Sequence, residues 1–503
     1  MQTLILPADA HNRLLVDNVH PLTWVNPTPS GRYNLVVLGA GTAGLVSAAG
    51  AAGLGAKVAL VEKHLMGGDC LNFGCVPSKG LLRAARAAQD TREAEAFGVG
   101  IADSVTFEFS SAMERMRRLR ANISEHDSAH RLSKLGVDVF FGAAKFVARD
   151  AVEVGGQTLL FSRAVIATGT RAASAAITGA AGVGFLTNET VFSLTELPRR
   201  LAVIGAGPVG CELAQAFRRF GSEVFLFTRG SRLLPREDAA AAGVLAKQFD
   251  REGIHVALGA KILRAEKQNG AKALVFQSDG QEDRVVADEI LVAVGRAPNV
   301  EGLNLDAAEV AFDNKGVTVD DYLRTSNRRI YAAGDICSPY KFTHVADATA
   351  RVVLQNALFF GRKKASALVI PWCTYTDPEV AHVGLYEKEA RERGLDLTTL
   401  TVPLKEVDRA VLDGDENGFA RVHAEKRSGR VLGATLVARH AGEMISEMSL
   451  AVTAGLGLGT IAKTIHPYPT QAEAWKRLGD DWNRSRLTPR LRDLFARYLS
   501  WRR

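Results

Sequence analysis

Two stretches of the chain share one pattern of apolar and polar positions. The first opens with four apolar residues, Leu35-Val36-Val37-Leu38. A glycine-rich turn follows, then small and apolar residues to about Leu54, then a second apolar run, Lys57 to Val61, ending at Glu62. The second opens with Leu201-Ala202-Val203-Ile204, continues to about Phe220, and closes with Glu223 to Phe227, ending at Thr228. A short apolar run bounded by glycine predicts a buried strand, and the longer segment after it predicts a helix. Each stretch therefore reads strand–turn–helix–strand, and first glycine to final residue spans 23 positions in both. From about Ile370 the pattern changes to strand-like runs such as Arg430 to Val437 and helical ones such as Ala441 to Ala454, which predicts an α+β domain.

The ends differ from this body. Residues 1–32 hold His20-Pro21, Asn26-Pro27 and Thr28-Pro29 and are expected to be irregular chain on a surface. Residues 481–503 are basic, with Leu487, Leu491, Leu494, Tyr498 and Leu499 at helical spacing. The expectation is a basic helix whose apolar stripe packs on the body or on a second subunit, with an anionic partner or a membrane surface as the alternative.

Composition narrows the class. Hydrophobic residues make up 47% and charged residues 23% of the 503, as in globular proteins. No apolar run is long enough to cross a membrane, and residues 1–31 lack the basic-then-apolar order of a secretion signal. A cytoplasmic setting with no integral membrane segment and no nucleic-acid partner is expected. The five cysteines, Cys70, Cys75, Cys211, Cys337 and Cys373, are too sparse for a disulfide framework. A close pair in a reducing compartment is expected to do chemistry.

The two turns, Gly39-Ala40-Gly41-Thr42-Ala43-Gly44 and Gly205-Ala206-Gly207-Pro208-Val209-Gly210, carry the dinucleotide-binding spacing. The first glycine makes the turn, the second lets backbone approach a pyrophosphate, and the third lets helix pack on strand. Glu62 stands where a carboxylate holds ribose hydroxyls and repels a 2′-phosphate, which suits FAD or NAD. Thr228 stands there in the second unit, with Arg229 and Arg232 close behind, which favours NADPH over NADH.

Between the units lies Gly67-Gly68-Asp69-Cys70-Leu71-Asn72-Phe73-Gly74-Cys75-Val76-Pro77-Ser78-Lys79. A helix starting near Cys75, with Lys79, would favour a thiolate there. A metal site would need two more ligands at suitable spacing, and none is near.

Glycine fingerprint, GGDCLNFGCVPSK, second fingerprint and Tyr331-Ala332-Ala333-Gly334-Asp335 come in the order of the class I pyridine nucleotide-disulfide oxidoreductases, which the sequence resembles over about Tyr33 to Leu478. The family includes dihydrolipoamide dehydrogenase, glutathione reductase and mercuric reductase. The resemblance implies an α/β fold with two Rossmann-like dinucleotide-binding domains and an α+β dimerisation domain. It implies FAD on 33–198 and 296–368, NAD(P) on 199–295, and a homodimer through 369–480 in which each active site is completed by the partner subunit. FAD would lie on the first fingerprint, with Gly68 in the cofactor set and Asp335 on the ribitol side. Ala167-Thr168-Gly169 resembles the family's return strand from the FAD domain, and Gly295-Arg296-Ala297-Pro298-Asn299 its return from the NAD(P) domain. Lys79 would sit near the flavin and pair with Glu212. Electrons would pass from NAD(P)H through the flavin to the Cys70–Cys75 disulfide, with Cys75 as the thiolate by the flavin and Cys70 as the thiol that meets the substrate.

One segment departs from the disulfide-reducing relatives. In His466-Pro467-Tyr468-Pro469-Thr470-Gln471-Ala472-Glu473, Tyr468 occupies the place of the catalytic histidine, while Glu473 matches the glutamate that orients it. A tyrosine, with an ordinary pKa of ~10 against ~6.5 for histidine, is a poor proton shuttle near neutrality. That argues against efficient reduction of lipoamide or glutathione disulfide; His466 would substitute only in a rearranged loop. Tyrosine here resembles mercuric reductase, whose acceptor Hg(II) suits two thiolates. Those enzymes also carry a C-terminal cysteine pair and a metal-capture domain, whereas this sequence ends Tyr498-Leu499-Ser500-Trp501-Arg502-Arg503. The expected acceptor is a soft metal ion such as Hg(II) or a small thiol-reactive compound. The alternatives are a dihydrolipoamide dehydrogenase-like enzyme and a redox-sensing or partner-binding flavoprotein of low turnover. Among the other candidates, Cys211 is expected to be buried, Cys337 to pack near the flavin, Cys373 to lie near an interface, and His344 to line the flavin pocket or be structural.

Overall fold

The computed structural model describes residues 5–100, 106–268, 270–359 and 361–503. Contacts divide the chain into two compact units, Met1–Arg229 with Ile254–Leu368, and Gly230–Gly253 with Val369–Arg503.

The first unit contains both dinucleotide-binding sheets. In one, the strands run Val137–Phe141, Val58–Glu62, Arg32–Leu38 and Gln157–Ile166, all parallel, and Ile330–Ala332 also joins Gln157–Ile166 in parallel. The hairpin of Ala144–Ala148 and Ala151–Val154 extends the sheet antiparallel. Unbroken apolar runs are required in the central strands because both faces of such a sheet are covered; Leu35, Val36, Val37 and Leu38 are all buried. The second sheet orders His255–Ala257, Glu223–Phe227, Arg200–Ile204 and Glu289–Val292, all parallel. Both predicted strand–turn–helix–strand units form, with helices Thr42–Gly53 and Pro208–Phe220. Ala167–Gly169, expected as a return strand, is instead the bend between strands Gln157–Ile166 and Thr170–Ala172; the latter pairs with Arg296–Pro298.

The extension is not irregular throughout. Residues 1–4 lie outside the described residues, but Ala10–Val19 is a helix, capped by the Asp9 carboxylate on the Asn12 amide. Leu15 and Val19 are fully buried in the core beneath the first sheet. The prolines at 21, 27 and 29 all fall after this helix, so they end it without entering it. Asn12 accepts a bond from Arg120 (2.7 Å), which also donates to the Asn72 carbonyl (2.7 Å), so the extension braces the cysteine loop.

The second unit is built on an antiparallel sheet, ordered Pro371–Thr374, Glu379–Gly384, Val431–Ala438, Phe419–Glu425 and Leu397–Pro403. Helices Ala441–Thr453 and Glu473–Ser485 bury Met448, Trp475 and Trp482 with this sheet. The segment Gly230–Gly253, which the sequence pattern assigns to 199–295, groups here. Glu237 accepts bonds from the Trp372 indole (2.8 Å) and the Tyr386 hydroxyl (2.7 Å), and Asp238 pairs with Arg421 (2.5 Å). No helix among the described residues is long and apolar enough to cross a membrane.

If the extension is part of the core, Leu15→Ala is expected to lower unfolding stability by about 2–5 kcal/mol, measured by denaturant melts. A loss under about 0.5 kcal/mol, typical of a surface substitution, would detach that helix from the fold.

Candidate functional site

Helix Cys75–Arg92 starts at Cys75, and its N-cap, Gly74, supplies no side chain to the free amides. A Cβ on Gly74 would stand 2.9 Å from the Asp69 carbonyl, so only glycine lets the helix begin this close to the short helix Gly68–Asn72. Cys70 and Cys75 are both thiols. They hydrogen bond to each other, which pulls the exposed Cys75 down to about 6 against the desolvation of its sulfur; Thr343, 3.3 Å away, and the positive charge of Lys79 act in the same direction. The same contact, with burial, pushes the Cys70 thiol up. One sulfur is thus favoured as thiolate and the other as its donor. Lys79 pairs with Glu212 at 2.7 Å, and the Glu212 carboxylate is almost fully buried.

In the first fingerprint, a Cβ on Gly44 would meet the Gly39 carbonyl at 1.8 Å, and one on Gly210 would meet Gly205 at the same 1.8 Å in the second. Both third glycines therefore fill the helix-packing role that the spacing predicts. Gly41 and Gly207 are the N-caps of their helices, and neither makes a side-chain cap bond. Gly68 lies beside Gly41, where a Cβ would come within 2.7 Å of its Cα. Glu62 ends its strand with its carboxylate accepting from the amides of Ala40 (2.7 Å) and His64 (2.8 Å). Burial raises its pKa, against those two bonds.

Asp335 is likewise raised by burial, and it accepts from Thr170 (2.9 Å). Arg296 reaches Thr170 (2.7 Å) and Asp69 (3.1 Å), linking the Asp335 turn to the cysteine loop. Thr168 and Asn299 exchange two bonds of 2.9 Å, which ties the bend at Gly169 to the segment after Gly295.

At the second fingerprint, Thr228 follows its strand, with its amide bonded to Ala257 and its carbonyl to Ala260. Arg229 is exposed. Arg232, expected as a second phosphate ligand, donates to the carbonyls of Pro235 (2.8 Å) and Glu237 (3.2 Å). Those bonds tie one nitrogen of its guanidinium to its own loop.

The second unit rearranges the remaining candidates. Tyr468 is 71% exposed and donates to Asp408 at 2.9 Å, which raises its pKa further above the ordinary tyrosine value. Glu473 does not orient it. Its carboxylate takes Arg477, one turn along the same helix (3.1 Å), and Arg477 also reaches Asp408 (3.2 Å). His466 is held by Glu447, on helix Ala441–Thr453, at 3.0 Å.

Thr343 and Asp408 have no motif spacing that would have singled them out, and each reaches its candidate from a distant segment; Asp69 and Arg296 lie inside quoted motifs, but their spacing does not predict their mutual ion pair. Cys211 is buried, and its thiol donates to the Ala206 carbonyl (3.5 Å). Burial pushes the Cys337 thiol up to about 12, Cys373 lies 4.0 Å from Glu379, and His344 stacks on Phe342. No group of three or more metal-ligating side chains occurs among the described residues.

These elements are matched by known proteins. Residues 33–350 match the family model described as pyridine nucleotide-disulphide oxidoreductase, and residues 370–478 match the dimerisation domain of the same family. Mercuric reductase from Lysinibacillus sphaericus is 35% identical over 92% of this chain and 84% of its own length. Dihydrolipoyl dehydrogenase from Bacillus subtilis is 31% identical over 88% of this chain and 96% of its own. Among solved structures, the HOCl-induced flavoprotein disulfide reductase RclA from Escherichia coli superposes with a TM-score of 0.80 at 27% identity, covering 89% of this chain and 99% of that one. The doubly repeated glycine turn, the cysteine pair at the head of its helix and the antiparallel C-terminal domain are thus those of a known group, and the chain belongs to the FAD-dependent pyridine nucleotide-disulfide oxidoreductases.

Proposed function

We propose that this enzyme uses NADPH to reduce a soft metal ion such as Hg(II), or a small thiol-reactive acceptor, through the Cys70–Cys75 pair. The observation that carries the reading is the contrast between its two halves. A thiolate is favoured at Cys75, while residue 468, where a disulfide reductase needs a proton donor, is a tyrosine tied to Asp408 and raised in pKa. Reduction of a disulfide requires a proton for the leaving thiol, whereas a soft cation needs thiolate ligands and electrons. The balance is NADPH and Hg(II) giving NADP⁺, a proton and elemental mercury. Relatives named mercuric reductase support it. The rival, a dihydrolipoamide dehydrogenase-like disulfide reductase, is favoured by the His466–Glu447 pair, which holds an imidazole two residues before Tyr468.

The residues present fit FAD. Glycines 39, 41 and 44 keep the first helix N-terminus clear of Cβ atoms and of a side-chain cap, as a pyrophosphate requires. Glu62 would take the ribose hydroxyls, Asp335 the ribitol side, and Gly68, Thr168 and Gly169 the surrounding backbone contacts. FAD, when bound, supplies two-electron transfer between nicotinamide and the cysteine pair. Lys79, positioned by Glu212, would hold positive charge beside Cys75. Cys70 would keep its proton until an acceptor arrives and would present the attacking sulfur. Gly205, Gly207, Gly210 and Gly295 would frame the NADPH pyrophosphate side, and Arg229 would take the 2′-phosphate. The family's dimerisation domain supports a homodimer. A cytoplasmic setting, where reductants abound, belongs to the same reading.

Four outcomes are expected. Purified enzyme with NADPH and thiol-buffered Hg(II), kept anaerobic, should release mercury vapour in proportion to NADPH consumed; flavin reduction without vapour, joined to rapid lipoamide turnover, would hand the case to the rival. The thiolate-dependent long-wavelength absorbance of the two-electron-reduced enzyme should be full above a midpoint near 6 and fade as pH falls through it. Thr343→Val should move that midpoint upward, and an unmoved midpoint would remove Thr343 from the site. Arg229→Ala should raise the KM for NADPH about tenfold, the ~1.4 kcal/mol of one charge-assisted bond, with NADH little affected; equal losses would leave the 2′-phosphate assignment without support.

A further inference from the structure

The last helix, Pro489–Trp501, buries none of its residues within this chain. Leu494, Phe495, Tyr498, Leu499 and Trp501 are all exposed, Trp501 by 81%. The expected packing of the stripe on the body therefore does not occur. At 3.6 residues per turn, Leu491, Leu494, Tyr498 and Trp501 fall on one line of the helix, and Phe495 and Leu499 broaden it on one side. Arg490 and Arg497 border the stripe on one flank and Arg492 on the other. Ala496, Ser500 and Asp493 take the opposite face. Between Arg484 and Arg503 there are seven arginines and one acid, Asp493.

We infer that this helix is a docking element that lies flat on an anionic phospholipid surface. Three observations choose this occupant over a second copy of the chain. The helix lies beyond residue 478, where the match to the dimerisation domain ends. Its charge is almost entirely of one sign, so a symmetric self-contact would set arginines against arginines. The arginines border the apolar stripe on both sides, which puts cations at headgroup depth when the stripe sinks into the acyl boundary, with Tyr498 and Trp501 amphipathic at that level. The binding is peripheral.

The test is flotation of the full-length FAD-loaded enzyme with vesicles of phosphatidylcholine alone or mixed equally with phosphatidylglycerol. Flotation is expected only with the anionic vesicles, and it should fade at high salt. Leu494→Glu/Tyr498→Glu/Trp501→Glu and, separately, Arg490→Gln/Arg492→Gln/Arg497→Gln are each expected to weaken it by about tenfold or more. NADPH-dependent flavin reduction and the size of the protein in solution should stay unchanged. No flotation of the parent enzyme, or flotation of both variants as strong as the parent's, would overturn the inference. A fall to monomer in the glutamate variant would overturn it too, assigning the stripe to the subunit interface.

Discussion

Among the described residues, the three longest helices with a glycine at the N-cap and no side chain bonded to their first amides are Thr42–Gly53, Cys75–Arg92 and Pro208–Phe220. A helix end ordinarily satisfies those amides with a serine, threonine or aspartate. Leaving them open costs stability, and it leaves the positive end of the helix for an anion. Two of these ends follow parallel strands and suit pyrophosphates; the third suits a thiolate. The sheets hold the first and last ends in place, and the close pass of Gly74 over Asp69 fixes the middle one.

The cysteine pair depends on more than that helix end. The mutual hydrogen bond separates the two sulfurs in acidity, Thr343 adds a contact from a distant segment, and Lys79 adds charge. Lys79 is itself partly neutralised by the buried Glu212. The lysine is therefore held in position more firmly than an exposed one would be, and its charge reaches the sulfur in reduced strength. Arg120 joins the loop to the N-terminal helix through Asn12, so a segment outside the family match contributes to the rigidity of the redox site.

In the second unit, Tyr468 and Glu473 each bond to a partner other than one another. Tyr468 takes Asp408, and Glu473 takes Arg477. A phenol that donates to a carboxylate has its neutral form stabilised, so the proton leaves less readily than from free tyrosine.

Local pattern in the sequence determined both glycine turns, their helices and strands, the redox motif and the start of the helix at Cys75, because each follows from residues within a few positions of one another. It also placed Lys79 and Glu212 in one expected pair, though only by resemblance, since 133 positions separate them. What only the tertiary structure decided involves partners distant in sequence. Thr343 reaches Cys75 across 268 positions, Tyr468 finds Asp408 across 60, and Glu237 binds Trp372 and Tyr386, drawing Gly230–Gly253 to the antiparallel unit. The helix at Ala10–Val19 was hidden behind the prolines that follow it. The terminal stripe was legible as helix, but whether anything covered it was not, because periodicity reports which face is apolar and only the packed chain determines what lies against that face.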